Sequence, residues 1–165
     1  MGAVPSSEKV SKRTIGEKFK VEEFMGVWYD IAHIPNPYET DCEHSVITYS
    51  LISEDRIKII LRCKNYGNSP ILYTGELTYA DPNNPSKMRV RFDGLFSGWS
   101  NFWIYDTDYD SYAIAGNDSG YVWIMSRDDT MTFCRLWALR NRVKDLGFEV
   151  GRLKADLNLI RPCVE

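Results

Sequence analysis

Residues 87–92 read Lys-Met-Arg-Val-Arg-Phe, an alternation that sets Met88, Val90 and Phe92 against Lys87, Arg89 and Arg91. Side chains of a strand point to opposite faces, so this segment has one face for a core and one for water. A strand of this kind needs neighbours on both edges. The sequence supplies them: short alternating segments separated by turn residues recur from Val27 to about residue 126.

The first segment runs from Val27 to Ile34 and stops at Pro35-Asn36-Pro37. The next, about 43–52, alternates Ser45, Ile47, Tyr49 and Leu51 with Val46, Thr48 and Ser50. Ser53-Glu54-Asp55 turns into a third, where Ile57, Ile59, Leu61 and Cys63 alternate with Lys58, Ile60, Arg62 and Lys64. Further strands are expected at about 71–79, 87–92, 101–106, 110–116 and 120–126, with a long turn at Asp81-Pro-Asn-Asn-Pro85. Eight strands joined as sequential hairpins predict an all-β fold, an eight-stranded antiparallel up-and-down barrel, because closure removes exposed edges.

At Asp128 the period changes. Phe133, Leu136, Trp137, Arg140, Val143 and Leu146 follow helical spacing, with Thr130 or Thr132 as N-cap and Gly147 as the stop. One amphipathic C-terminal helix should pack on the outside of the barrel, and residues 155–160 could add a short edge strand.

Composition narrows the partners. The net charge of −3 gives no electrostatic reason to expect nucleic acid. No apolar run approaches the ~18 residues of a membrane span, so membrane contact would be peripheral. Met1 to Ser7 has neither a positive nor an apolar signal-peptide region. Residues 1–14 are polar and expected to fray. Four cysteines without a C-x-x-C pair argue against zinc and for disulfides, with three pairings open.

Three separated motifs carry a resemblance. Gly26-Val27-Trp28 opens the first strand, Thr107-Asp108-Tyr109 sits in the tight connection between the strands at about 101–106 and 110–116, and Trp123-Ile-Met-Ser-Arg127 ends the last barrel strand. In this order, followed by one helix, the chain resembles the lipocalin family over residues 19–163, most nearly the branch of apolipoprotein D, insect bilin-binding proteins and bacterial lipocalins. The physics agrees. Trp28 plugs one end of the barrel, Arg127 emerges at that same end where it can stack on the indole, and the Thr107-Asp108-Tyr109 turn closes it beside them. The resemblance implies a flexible segment 1–18 and a lipocalin domain 19–165. It also implies a monomer or weak homodimer and a secreted, extracellular or periplasmic location.

If Trp28 points inward, parity names the other cavity residues. These are Ala32 and Ile34 on the first strand, then Ser45, Ile47, Tyr49 and Leu51, then Ile59, Leu61 and Cys63. They continue with Tyr73, Gly75 and Leu77, then Met88, Val90 and Phe92, then Phe102 and Ile104. Ala113, Ala115, Tyr121, Trp123 and Met125 complete the wall, which is apolar and aromatic with a few hydroxyls. Small residues at 32, 75, 113 and 115 suggest open space. No charged residue stands on this face above Asp30, which disfavours a highly charged ligand. The expected partner is a small hydrophobic molecule (a fatty acid, lysolipid, sterol, retinoid or similar) with Tyr49, Tyr73 or Tyr121 bonding its head group. No cofactor, metal or catalytic residue is expected.

The resemblance further implies a disulfide between Cys42 and Cys163, leaving Cys63 and Cys134 either bridged or free. Parity turns His33 and His44 away from the cavity, so they read as surface residues. Two other functions compete with a carrier. Some lipocalins use a barrel cysteine as a nucleophile, for a lipid isomerase, and Cys63 would be the candidate, although no inward His or Lys activates it. A ligand-sequestering or inhibitory interaction protein would act through loops 35–41, 66–70 and 94–99.

Overall fold

A computed structural model describes residues 10–35, 42–94 and 98–163. One helical turn, α1 (Val21–Phe24), precedes strands β1 (Gly26–His33), β2 (Glu43–Ser53), β3 (Arg56–Lys64) and β4 (Pro70–Tyr79). Strands β5 (Lys87–Phe92), β6 (Ser100–Thr107), β7 (Tyr112–Gly116) and β8 (Val122–Ser126) follow. Each pairs antiparallel with the next, and β1 also pairs with β8, which closes the barrel. The eight expected strands are all present.

Beyond the barrel, the two-residue strand β9 (Met131–Thr132) leads into helix α2 (Phe133–Asp145). Thr132 is its N-cap, accepting from the Arg135 N–H at 3.2 Å. Gly147, with φ 98°, takes the left-handed conformation that ends it. The tail adds β10 (Lys154–Ala155) against β1 and β11 (Ile160–Arg161) parallel to β9, in place of one edge strand over 155–160.

The inner-facing residues of the barrel make one core. A second core lies outside it, between α2 and the outer faces of β1 and β6–β8, around Leu136, Leu139, Val143, Tyr105, Ile114 and Ile124. The helix stripe is therefore Leu136, Leu139, Val143 and Leu146. Phe133 and Trp137, expected on it, lie half exposed and stack on each other at 6.0 Å.

Part of the segment expected to be flexible is docked. Val10 is buried, and the Ser11 and Ile15 N–H groups donate to the carbonyls of Leu146 and Ile104 at 2.7 and 3.1 Å. The rest of that segment, residues 1–9, lies outside the described residues.

Both disulfides differ from the expected pairing. Cys42 is joined to Cys63 and Cys134 to Cys163, each with Cα atoms 5.5 Å apart. Strand register explains both. Glu43 faces Lys64 across the antiparallel β2–β3 pair and the register shifts between Glu43 and Val46, which leaves Cys42, just before β2, diagonally across from Cys63 on β3. In the parallel β9–β11 pair Met131 faces Ile160 and Thr132 faces Arg161, and two residues further on each chain stand Cys134 and Cys163.

Candidate functional site

The closed end is built first. Gly26 has φ 103°, and a Cβ there would come within 3.1 Å of Arg127 Nη1. Trp28, fully buried, donates its indole N–H to the Phe24 carbonyl at 2.9 Å. The Arg127 guanidinium lies 3.8 Å from the centre of the Trp28 ring. Its N–H groups reach the carbonyls of Tyr109, Val27, Met25, Glu23 and Phe24 at 2.8–3.3 Å.

The turn beside it is locked by Thr107, whose hydroxyl donates to the Tyr112 carbonyl and accepts from the Tyr109 N–H. Asp108 accepts from the N–H groups of Ser111 and Tyr112 at 2.8 and 3.0 Å, and from the Ser111 hydroxyl. Burial pushes its carboxyl up, but those bonds and nearby Arg135 outweigh it and hold Asp108 below its ordinary value. Tyr109 then sits at φ 68° and stacks on Phe19.

Above this floor lies a cavity of about 460 Å³, within the size range of small-molecule pockets. Of the residues expected on its wall, Ile47, Tyr49, Ile59, Leu61, Tyr73, Val90, Phe92, Phe102, Tyr121 and Trp123 line it, with Ser45 and Met125. The rings pack in two groups: Tyr49 to Phe102 and Phe102 to Trp123 at 6.1 Å, and Tyr73 to Phe92 at 6.4 Å. The remaining expected residues do not line it. Leu77, Met88, Ile104, Ala113 and Ala115 are buried in the packed inner core. Leu51 lies past the Gly26–Tyr49 pair at the closed end and is 43% exposed. Gly75 marks no space either: a Cβ there would lie 2.2 Å from the Arg91 carbonyl oxygen.

Ala32 and Ile34 are corrected by a bulge. Along the β1–β8 pair Asp30 faces Met125 but Ala32 already faces Ile124, so β1 carries one extra residue. The extra residue inverts parity beyond Ile31. Ile31, Ala32 and Ile34 then face the outer core under α2. His33 turns back to Asp30, with Nδ1 at 2.9 Å from Oδ2. It is no surface residue, whereas His44 is half exposed and pairs with Asp156.

Lining residues that parity did not name come from the rim: Arg91 near the end of β5 and Asn101 at the start of β6, with Trp99, Asn117 and Ser119 from the adjoining connections. Arg91 lies 4.9 Å from the Trp99 ring and also pairs with Glu76. Of the loops expected at the rim, residues 36–41 and 95–97 lie outside the described residues. No cysteine is free, so Cys63 offers no thiol for nucleophilic chemistry. Among the described residues no cluster could hold a metal ion.

A barrel closed at one end by stacked Trp and Arg, open to an apolar cavity at the other and flanked by one helix, is a lipocalin-type binding fold. A family model described as a lipocalin-like domain matches residues 19–157, and the chain belongs to that family, whose members bind small hydrophobic ligands. It is 27% identical to the outer membrane lipoprotein Blc of Citrobacter freundii over 141 residues, 85% of this chain and 80% of that protein. It is 28% identical to apolipoprotein D of Cavia porcellus over 130 residues, 78% of this chain and 64% of the relative's length. Among solved structures, insecticyanin from the tobacco hornworm Manduca sexta superposes with a TM-score of 0.69 at 16% identity, covering 88% and 85% of the two chains. Lobster apocrustacyanin A1 does so at 0.68 and 20% identity, covering 81% and 77%.

Proposed function

We propose that the protein binds and carries one small, extended hydrophobic molecule, of the fatty acid, lysolipid, sterol or retinoid kind, in the upper half of the barrel. The observation that supports this most is the division of the lumen. Its lower half is packed shut by Trp28, Phe24, Leu77 and Met88, while aromatic and aliphatic side chains line about 460 Å³ above. Burying apolar surface there is worth roughly 25 cal/mol per Å², enough for a single lipid-sized chain to bind without further machinery.

The binding residues in this reading are Ile47, Tyr49, Ile59, Leu61, Tyr73, Val90, Phe92, Phe102, Tyr121 and Trp123. Two disulfides favour an oxidising compartment, extracellular or periplasmic. None of the described helices is long and apolar enough to cross a membrane, in keeping with peripheral contact at most. We take the protein as a monomer or weak homodimer. The reading is tested by titrating a panel of fatty acids, retinoids and tetrapyrroles. Quenching of Trp123 at the cavity wall supports it, and a panel that changes neither fluorescence nor melting temperature contradicts it.

A further inference from the structure

We infer that the cavity contains a polar subsite at Asp30, which selects amphiphiles carrying a hydrogen-bond-donating head group, a protonated amine above all. The inference deepens the carrier reading and rests on it.

Asp30 stands on the inner face of β1, one inward position above Trp28, and lines the cavity. Its side chain is 6% exposed. One oxygen, Oδ2, accepts from His33 Nδ1 at 2.9 Å. The other, Oδ1, is buried and meets no hydrogen-bond donor of the described protein. The neighbouring strands do not supply one. Met125 faces Asp30 on β8 and has no donor. Ser45, level with it on β2, has its hydroxyl 3.5 Å from Cys42 Sγ. The cation nearest the floor, Arg127, directs its donors to backbone carbonyls.

A buried carboxylate oxygen without a partner is costly, and a site that leaves one towards a cavity gains when an occupant brings a donor. A purely structural Asp–His pair would have no use for it. An apolar residue at position 30 would continue the wall of Ile47 and Met125 at lower cost. The bulge after Asp30 adds to the argument, because it brings His33 to the Oδ2 side of the carboxylate and leaves Oδ1 without a donor beside the cavity that Asp30 lines. An ammonium gains most at such a point, a hydroxyl less, and a carboxylate meets like charge in a poorly screened interior.

The test compares dodecylamine, dodecanol and dodecanoic acid, equal in chain length, below their micellar concentrations at neutral pH, by calorimetric titration of the wild-type protein and of Asp30→Asn. The wild type should bind the amine roughly tenfold or more tighter than the acid, with the alcohol between. Asp30→Asn should reduce that ratio several-fold. This variant removes the buried charge and leaves the acidic surface unchanged, so a preference that survives it comes from the surface and overturns the inference. Acid bound as tightly as amine by the wild type overturns it without any variant, so a poorly folding Asp30→Asn cannot shield it. Binding of all three without preference leaves the carrier reading standing. Binding of none overturns both.

Discussion

The guanidinium of Arg127 lies over the indole of Trp28, 3.8 Å from its centre, and the two side chains share the Phe24 carbonyl. This pair joins the first barrel strand to the end of the last. It brings α1 and the Thr107–Tyr109 turn into the same hydrogen-bonded cluster. It bounds the cavity from below without lining it, and the apolar cavity wall lies above it.

Arg127→Ala should therefore cost stability rather than binding. It strips donors from partly buried carbonyls and removes the cation from the Trp28 face, a loss of about 3 kcal/mol. Arg127→Lys should recover only part, because an ammonium cannot span the same set of carbonyls. Urea unfolding measures both, and ligand affinity of the folded fraction should stay within about twofold of wild type by the same structural argument.

The disulfide pairing can be read by peptide mapping under non-reducing conditions, which should recover the 42–63 and 134–163 linkages. A 42–163 linkage would contradict the register argument. Replacing Cys134 and Cys163 together by Ser should lower stability by about 3 kcal/mol, since the bridge closes a segment of 29 residues and holds β11 to α2. The cavity is remote from it and should bind as before.

Asp108 gives an acid-side signature. Its carboxyl is held below the ordinary 3.8, so the folded protein binds fewer protons there than the unfolded chain. The stabilisation is present above that value and is lost as pH falls through the lower, folded one. The melting temperature of wild type should exceed that of Asp108→Asn near neutral pH, with the gap closing in acid. Asp108 is 41% exposed, and screening keeps the effect under about 1 kcal/mol. A gap independent of pH would assign the effect to packing alone.

The barrel was legible because its signals are local. Period-two alternation marks each strand, as in Met88, Val90 and Phe92, and a change of period marks the helix. Most of the cavity wall followed from the parity set by Trp28. Parity failed where one residue intervened: the bulge at Ile31 moved Ala32 and Ile34 outward and brought His33 in, and no glycine or proline announces it. The disulfides were illegible for another reason. Cys134 and Cys163 meet through two-residue strands far apart in sequence, a pairing with no local signal. Rim residues such as Trp99 and Asn117 likewise reach the cavity only through the closure of the barrel.

The most direct measurement is thermal unfolding of wild type and Ile59→Trp, side by side, against a panel of extended apolar ligands. The substitution puts an indole into the middle of the cavity wall without touching the Trp28–Arg127 floor. A ligand that binds the native state alone at 100 times its Kd adds about 2.7 kcal/mol. The wild type should therefore melt several degrees higher with at least one member of the panel, and Ile59→Trp should not. No shift for the wild type, or an equal shift for both proteins, would contradict a ligand cavity at this site.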